Sequence, residues 1–182
     1  MNTTFKTVSS SYVSISQLML PSHTNFSGKI HGGFILSLLD QIAFACASKF
    51  SGNYCVTASV DTVNFLNPIE VGELVTMKAS VNYVGRSSMI IGIRVEAENI
   101  QTGVVKHCNS SYFTMVSKDG NGNNAPVPGL IMTNLKEVGR FQSCVKQIAM
   151  KKEIEFQRSI ATFESIESIL SSKLYNVKVE LE

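Results

Sequence analysis

The chain has 182 residues, 44% of them apolar, and a formal net charge of +2. That length suits one domain with a real core and room for a tail, and the composition is ordinary for a soluble globular protein. The balanced charge offers no basic field for nucleic acid and no acidic tail.

Met1 to Ser11 lacks the apolar core of a signal peptide. Residues 10 to 20 form a polar-rich alternation between Tyr12 and Leu18 that ends at Pro21, which predicts a strand. Residues 21 to 33 read as a loop. From 34 to about 50, Ile35, Leu38, Leu39, Ile42 and Cys46 recur at helical spacing. This apolar run, Phe34 to Ala47, is broken by Ser37, Asp40 and Gln41 and is short and polar for a bilayer span, so no membrane partner is expected. Four extended segments follow: Tyr54–Leu66, Leu74–Tyr83, Ser88–Ala97 and Val104–Val116. In the first, Val56, Ala58 and Val60 share a face. The second and third alternate cleanly, with Val75, Met77, Ala79, Val81 and Tyr83, then Met89, Ile91, Ile93, Val95 and Ala97, on their apolar faces. Short links at Val71-Gly72-Glu73, Gly85-Arg86-Ser87 and Asn99 to Gly103 predict consecutive antiparallel pairing. A turn-rich stretch at 119–128 marks a boundary. Residues 133 to 174 look helical, with Phe141, Val145, Ile148 and Ala149 on one stripe, and Tyr175–Glu182 alternates again. The fold class is α+β: one long helix wrapped by an antiparallel sheet over residues 1–130, with a helical extension over 131–182. Cys46, Cys55, Cys108 and Cys144 form neither a CxxC pair nor a zinc spacing. Cys46, on an apolar helix face, reads as a reduced core thiol, and cytoplasm is the default compartment.

Chemistry concentrates in Asn25-Phe26-Ser27-Gly28-Lys29-Ile30-His31-Gly32-Gly33 and the acid Asp40 behind it. A glycine pair at a helix start lets a backbone approach a ligand closely. The first helical turn carries free N–H groups and the positive end of the dipole. Together they suit a carbonyl oxygen becoming an oxyanion, with Asp40 serving a water or acting as nucleophile. On a helical wheel Asp40 points about 140° from Ile35, among Leu36, Ala43, Phe44 and Ala47. A carboxylate there is costly to desolvate, which points to a subunit interface or pocket wall. Asn25 is otherwise a common turn residue. His31 could be a base or a hydrogen-bonding loop residue. Gly85-Arg86-Ser87-Ser88 could hold phosphate or be an ordinary hairpin turn, and Lys151 and Lys152 are most simply a solvated helix face.

Several spaced pieces carry a family resemblance. They are Asn25-x-x-Gly28-x-x-His31-Gly32-Gly33 with Asp40 seven residues later, Val56-Thr57-Ala58-Ser59-Val60-Asp61, and Phe65-x-x-Pro68-Ile69-x-x-Gly72. Gly85-Arg86-Ser87-Ser88-Met89, Phe113-x-x-Val116 and Pro126-Val127-Pro128 complete the set. Over about residues 10 to 130 the chain resembles the hotdog-fold acyl-CoA thioesterases, in particular the bacterial YciA-like enzymes and the brain acyl-CoA hydrolase. The resemblance implies a helix wrapped by a curved sheet, and a homodimer with active sites at its interface that can assemble into a hexamer. The family's catalytic Asn and Asp correspond to Asn25 and Asp40 on opposing subunits. Gly33, with Gly32 and His31 beside it, would bring backbone N–H groups to the thioester oxygen. Thr57, Ser59 and Asp61, and Gly85, Arg86, Ser87 and Ser88, would line the coenzyme A channel, with Arg86 on phosphate. Leu36 and Phe44 would shape the acyl pocket.

The reaction expected is hydrolysis of acyl-CoA to a free acid and coenzyme A, with Asp40 as general base. No metal or resident cofactor is expected, coenzyme A being part of the substrate and product. Two rivals share the fold. A non-catalytic acyl-CoA sensor would want a DNA-binding segment, and about ten residues before the first strand are few for one. A hydratase or dehydratase would want a His on the helix, and the helix has none.

Overall fold

A computed structural model describes residues 4–160 of the chain. The helical pattern beyond 160 and the alternation at Tyr175–Glu182 lie outside the described residues. The chain divides into two compact units, Met1–Val145 and Lys146–Glu182.

The two cleanest alternations give the two central strands. They are β4 (Glu73–Val84) and β5 (Ser88–Asn99), with β1 (Phe5–Thr7), β2 (Val13–Leu18), β3 (Tyr54–Val60), β6 (Val105–Lys118) and β7 (Gly129–Ile131) completing the set. Helix α1 spans Gly32–Ser51 and helix α2 spans Leu135–Ile160. The main sheet is antiparallel in the order β2-β4-β5-β6-β3. It curls around α1, which touches each of its five strands. This is the hotdog arrangement that the resemblance implied.

Consecutive pairing holds for β4-β5-β6 only. β3 pairs with β6, at the far edge from β2, because residues 61–72 carry the chain from one side of the sheet to the other. Nor does β3 keep one alternation. The register slips between Thr57 and Ser59, a β-bulge that leaves Ala58 unpaired. Val56 pairs with Val116 and Val60 with Phe113, so these two valines face opposite sides of the sheet. A parallel ribbon of β1 and β7, three residues each, was not visible as alternation.

Helix α1 buries Ile35, Leu38, Leu39, Ile42, Ala43, Cys46, Ala47 and Phe50 against the inner face of the sheet. Its 20 residues are long and apolar enough to cross a membrane by length and composition, and this seating accounts for that apolarity. It ends where Gly52 adopts φ 77° and its N–H bonds the Ser48 carbonyl, a left-handed cap that glycine takes without strain. All four cysteines are free and buried. Burial pushes the Cys46 thiol up to about 12 and the Cys144 thiol up to about 11.

Helix α2 starts on an Asn134 cap. Asn134 Oδ1 accepts from Glu137 N–H at 3.0 Å, and Glu137 Oε2 accepts from Thr133 N–H at 2.6 Å. Glu137 Oε1 also accepts from the Tyr12 hydroxyl at 3.1 Å, and Phe141 stacks on Tyr83 with ring centres 5.6 Å apart. The first turns of α2 are thus bound to the outer face of the sheet.

On that outer face Glu96 Oε2 accepts from Lys78 Nζ and Oε1 from Arg94 Nε, both at 2.7 Å. The Lys78 bond first, and the Arg94 bond second, hold its carboxyl at about 2 against an ordinary 4.5. A depressed carboxylate adds stability that is complete above its unfolded value and disappears as pH falls through the folded value. Both cations are half exposed, so solvent screens the pair. Chemical denaturation of Glu96→Gln beside wild type should show a stability deficit that is constant above about pH 5 and closes between 4.5 and about 2. A deficit independent of pH would mean that the carboxylate charge is not what the bridge contributes.

Candidate active site

The loop from residue 21 to 31 folds around Asn25. Its Oδ1 accepts from Ser27 N–H (3.0 Å), Ser27 Oγ (2.8 Å) and Lys29 N–H (3.2 Å). Three donors on one oxygen fix the orientation of the amide. The Nδ2 group is left pointing away from the loop, with no acceptor among the described residues. The loop is closed by Asn25 N–H to the Lys29 carbonyl (2.8 Å) and His31 N–H to the His23 carbonyl (2.8 Å). It is pinned outside by Lys29 on Glu70 at 2.6 Å.

His31 caps α1. Its Nδ1 accepts from Gly33 N–H at 3.0 Å, which uses the lone pair of that nitrogen. Gly33 has the space for this because it lacks a Cβ: one would stand 2.7 Å from His31 Cε1 and 2.9 Å from Nδ1. The Gly33 N–H, expected to face an oxyanion, is therefore occupied. The N–H of Gly32, one residue earlier, has no acceptor among the described residues. The Phe65 ring lies over Gly32, where a Cβ would come 3.3 Å from its tip. Sequence reasoning did not assign Phe65 a place in the site, since only the fold of residues 61–69 brings it back to the helix entrance.

Asp40 stands about 10 Å further along the axis, at 1.5 Å per residue. It is exposed, as are Leu36 and Phe44 one turn to either side. Thr57 Oγ1 donates to Asp40 Oδ1 at 2.6 Å. This places an acid on α1 in contact with the edge strand β3. A groove of about 550 Å³ runs along the contact, lined by Asp40, Gln41, Phe44, Tyr54, Thr57 and Met115 among others. Tyr54 meets Phe44 edge-on at 5.6 Å. Gln41, Tyr54 and Met115 were not anticipated, because their proximity depends on the β3–β6 register.

Of the remaining candidates, Thr57 alone comes to the acid. The bulge turns Ser59, opposite Thr114, and Asp61, next to Tyr112, onto the outer face of the sheet. Gly85 to Ser88 form the β4–β5 turn, closed by Gly85 N–H to the Ser88 carbonyl at 2.8 Å. Arg86 is exposed there and forms no salt bridge among the described residues. The chain thus brings together Asp40, Thr57 and Phe44, and separately Asn25, His31, Gly32 and Gly33. Along the helix axis Gly33 lies about 10 Å from Asp40. Among the described residues no group of three or more His, Cys, Asp or Glu forms a metal cluster.

Residues 27–104 match the family model of the thioesterase superfamily. The chain is 32% identical over 134 residues to the uncharacterized acyl-CoA thioester hydrolase YkhA of Bacillus subtilis, spanning 74% of this chain and 78% of that one. An acyl-CoA hydrolase from Staphylococcus aureus, solved with butyryl coenzyme A, coenzyme A and coenzyme A disulfide, has a TM-score of 0.78 at 29% identity, over 86% of this chain and 96% of that one. Variants of that enzyme with an Asn, an Asp or a Thr changed to Ala have also been solved, and those positions are 15 and 17 residues apart in order. A hexameric acyl-CoA thioesterase, solved without ligand, has a TM-score of 0.79 at 31% identity, over 87% and 99% of the two chains.

The cap and the glycine form one device, and a double-mutant cycle tests this. His31→Ala should cost about 0.5–2 kcal/mol, the worth of a helix cap. Gly33→Ala should cost a similar amount by expelling the ring, and the double variant no more than either single one. Additive losses in thermal unfolding would show that ring and glycine act independently.

Proposed function

The chain belongs to the thioesterase superfamily, and from that premise we propose that it hydrolyses acyl-CoA thioesters at sites shared between two subunits. The observation that carries this reading is the Thr57–Asp40 hydrogen bond beside an open groove. The hydroxyl occupies one carboxylate oxygen, fixes the rotamer and leaves the other oxygen for a water. Asp40 takes a proton from that water as it attacks the thioester carbon. The C–S bond breaks as the tetrahedral intermediate collapses, and the proton passes to the coenzyme A sulfur. The developing oxyanion is met by the unused Asn25 Nδ2 and the free Gly32 N–H at the positive end of α1. His31 holds the Gly33 amide and so shapes this entrance without taking the proton.

Reacting groups must come within about 3–3.5 Å of one carbon. The axial gap of about 10 Å between helix entrance and acid argues against that within one chain. A second chain, with its helix antiparallel, would bring its own entrance to Asp40. The exposed Leu36 and Phe44 beside the acid and the open edge of β3 support that pairing. The Asn25, Asp40 and Thr57 spacing equals that of the three positions replaced in the S. aureus enzyme, which favours their acting together. By the same analogy the dimers would assemble into a hexamer, with Arg86 offered to coenzyme A phosphate. Four buried, free thiols suit a cytoplasmic enzyme.

Thiol release from short, medium and long acyl-CoA measures the activity. Asp40→Asn should fold normally and lose about 10²–10⁴-fold in turnover, with Thr57→Ala losing less. Equal turnover in a folded Asp40→Asn protein would overturn the mechanism. Co-refolding Asp40→Asn chains with Asn25→Ala chains should restore about a quarter of wild-type activity, since one site of each mixed two-fold dimer is intact. No recovery in verified mixed dimers would place both residues of each site on the same chain.

A further inference from the structure

On the inner face of the sheet Met77, Ala79, Val81, Ile91 and Ile93 join the core with α1. Lys78, Ser80, Asn82, Gly92 and Arg94 therefore project from the outer face. Such a face is ordinarily solvated, yet here Ser80 is 6% and Asn82 5% exposed. The pairing register puts Ser14, Lys78, Arg94 and Ser110 in one cross-strand row, and Ser80, Gly92 and Tyr112 in the next. Arg140, on the first turns of α2, forms the facing wall. The result is a groove of about 690 Å³, within the range of small-molecule sites.

Its chemistry has one sign. The lining contains Lys78, Arg94 and Arg140 and no carboxylate. Lys78 and Arg94 share a single counter-charge, Glu96, at the margin. Arg140 forms no salt bridge among the described residues. Asn82 Oδ1 accepts from Ser80 Oγ at 3.0 Å, while its Nδ2, on a nearly buried side chain, has no acceptor among the described residues. A side chain at position 92 would collide with that same amide nitrogen, so the Asn82 amide holds its place because residue 92 is glycine. Buried and half-buried donors without acceptors are costly, and the three cations project into the groove while the nearest carboxylates, Glu96, Glu137 and Asp61, lie outside its lining, an arrangement that suits an anion. The cations form two poles. Lys78 and Arg94 lie in one row; the row of Tyr112 is the next, about 7 Å along the strands, and Arg140 of α2 stands near Tyr12 and Tyr112.

We infer that this outer-face groove binds a diphosphate group, either free or carried by a larger phosphorylated metabolite, at a site separated from Asp40 by the thickness of the sheet. One phosphate meets the Lys78–Arg94 pole and the other meets Arg140, with Asn82 Nδ2 donating between them.

Isothermal titration of the full-length protein with inorganic pyrophosphate, with ADP in parallel, tests this. Saturable binding of one anion per chain is expected, weakening with added salt. Arg94→Gln and Arg140→Gln should each weaken it tenfold or more. Glu96→Gln should tighten it, because it releases both cations of one pole, a gain that misfolding cannot imitate. Tighter ADP would identify a nucleoside-borne diphosphate as the source, and tighter pyrophosphate the free anion. Thioester turnover without pyrophosphate should be unchanged in all three variants, so the outcome does not depend on the proposed mechanism. No saturable binding of either anion, or binding indifferent to Arg94→Gln and Arg140→Gln, would overturn the inference. Loss of oligomer mass in Arg140→Gln with no anion binding would do so too, making the groove an interface between copies.

Discussion

Helix α1 buries eight side chains on the concave sheet and still presents Leu36 and Phe44 on its other side, flanking Asp40. A helix apolar over so much of its surface cannot be satisfied by one sheet. The sheet covers roughly half of it, and the remainder is a demand for a partner. Fully burying a residue the size of Leu or Phe is worth about 1.5–3 kcal/mol, so the uncovered stripe is a substantial driving force for association. The only acid of the helix, Asp40, lies on that stripe, so in the proposed mechanism the chemistry depends on the same event that covers it.

That constraint explains the division of labour along α1. The entrance is built for rigidity: three donors on Asn25 Oδ1, a His31 cap that a Cβ at Gly33 would evict, and a Phe65 ring closing over Gly32. The middle of the helix is built for access, with Asp40 held by one short bond from Thr57 and otherwise open. The proposed mechanism asks for a fixed pair of donors and an accessible base, which are opposite requirements, and their separation along the helix suits both.

Much of this was legible in the residues. Helix α1 and the strands β4 and β5 follow directly from periods of 3.6 and 2, except that a slip after Val81 turns Tyr83 off their apolar face and onto Phe141, and Asn25, His31, the glycine pair and Asp40 stand out by type and spacing. The unreadable features are those that depend on distant pairing. The β3–β6 ladder joins segments some sixty residues apart, and nothing local in Tyr54–Val60 announces it. The slip at Ala58 then decides that Thr57 meets the acid while Ser59 and Asp61 do not, although all three lie on one apparently regular strand. Of the two readings of His31, a base or a hydrogen-bonding loop residue, the structure shows the hydrogen bond, and the identity of its donor, the Gly33 N–H, emerges only when the ring is seen lying across that glycine. Three-residue strands such as β1 and β7 carry too little alternation to register.

The ribbon of β1 and β7 has a bearing on how the chain can be handled. Phe5 lies against Gly129, Lys6 Nζ donates to the Phe50 carbonyl at 2.7 Å, and its ammonium stands 5.9 Å from the Phe50 ring. A cation on the last turn of a helix satisfies an orphan carbonyl and complements the dipole. The first strand is thus a clasp that fastens the far end of α1 to the segment leading into α2. Trimming it as a dispensable leader would loosen both at once. An affinity tag placed there should be spaced well ahead of Phe5, so that the clasp can still close.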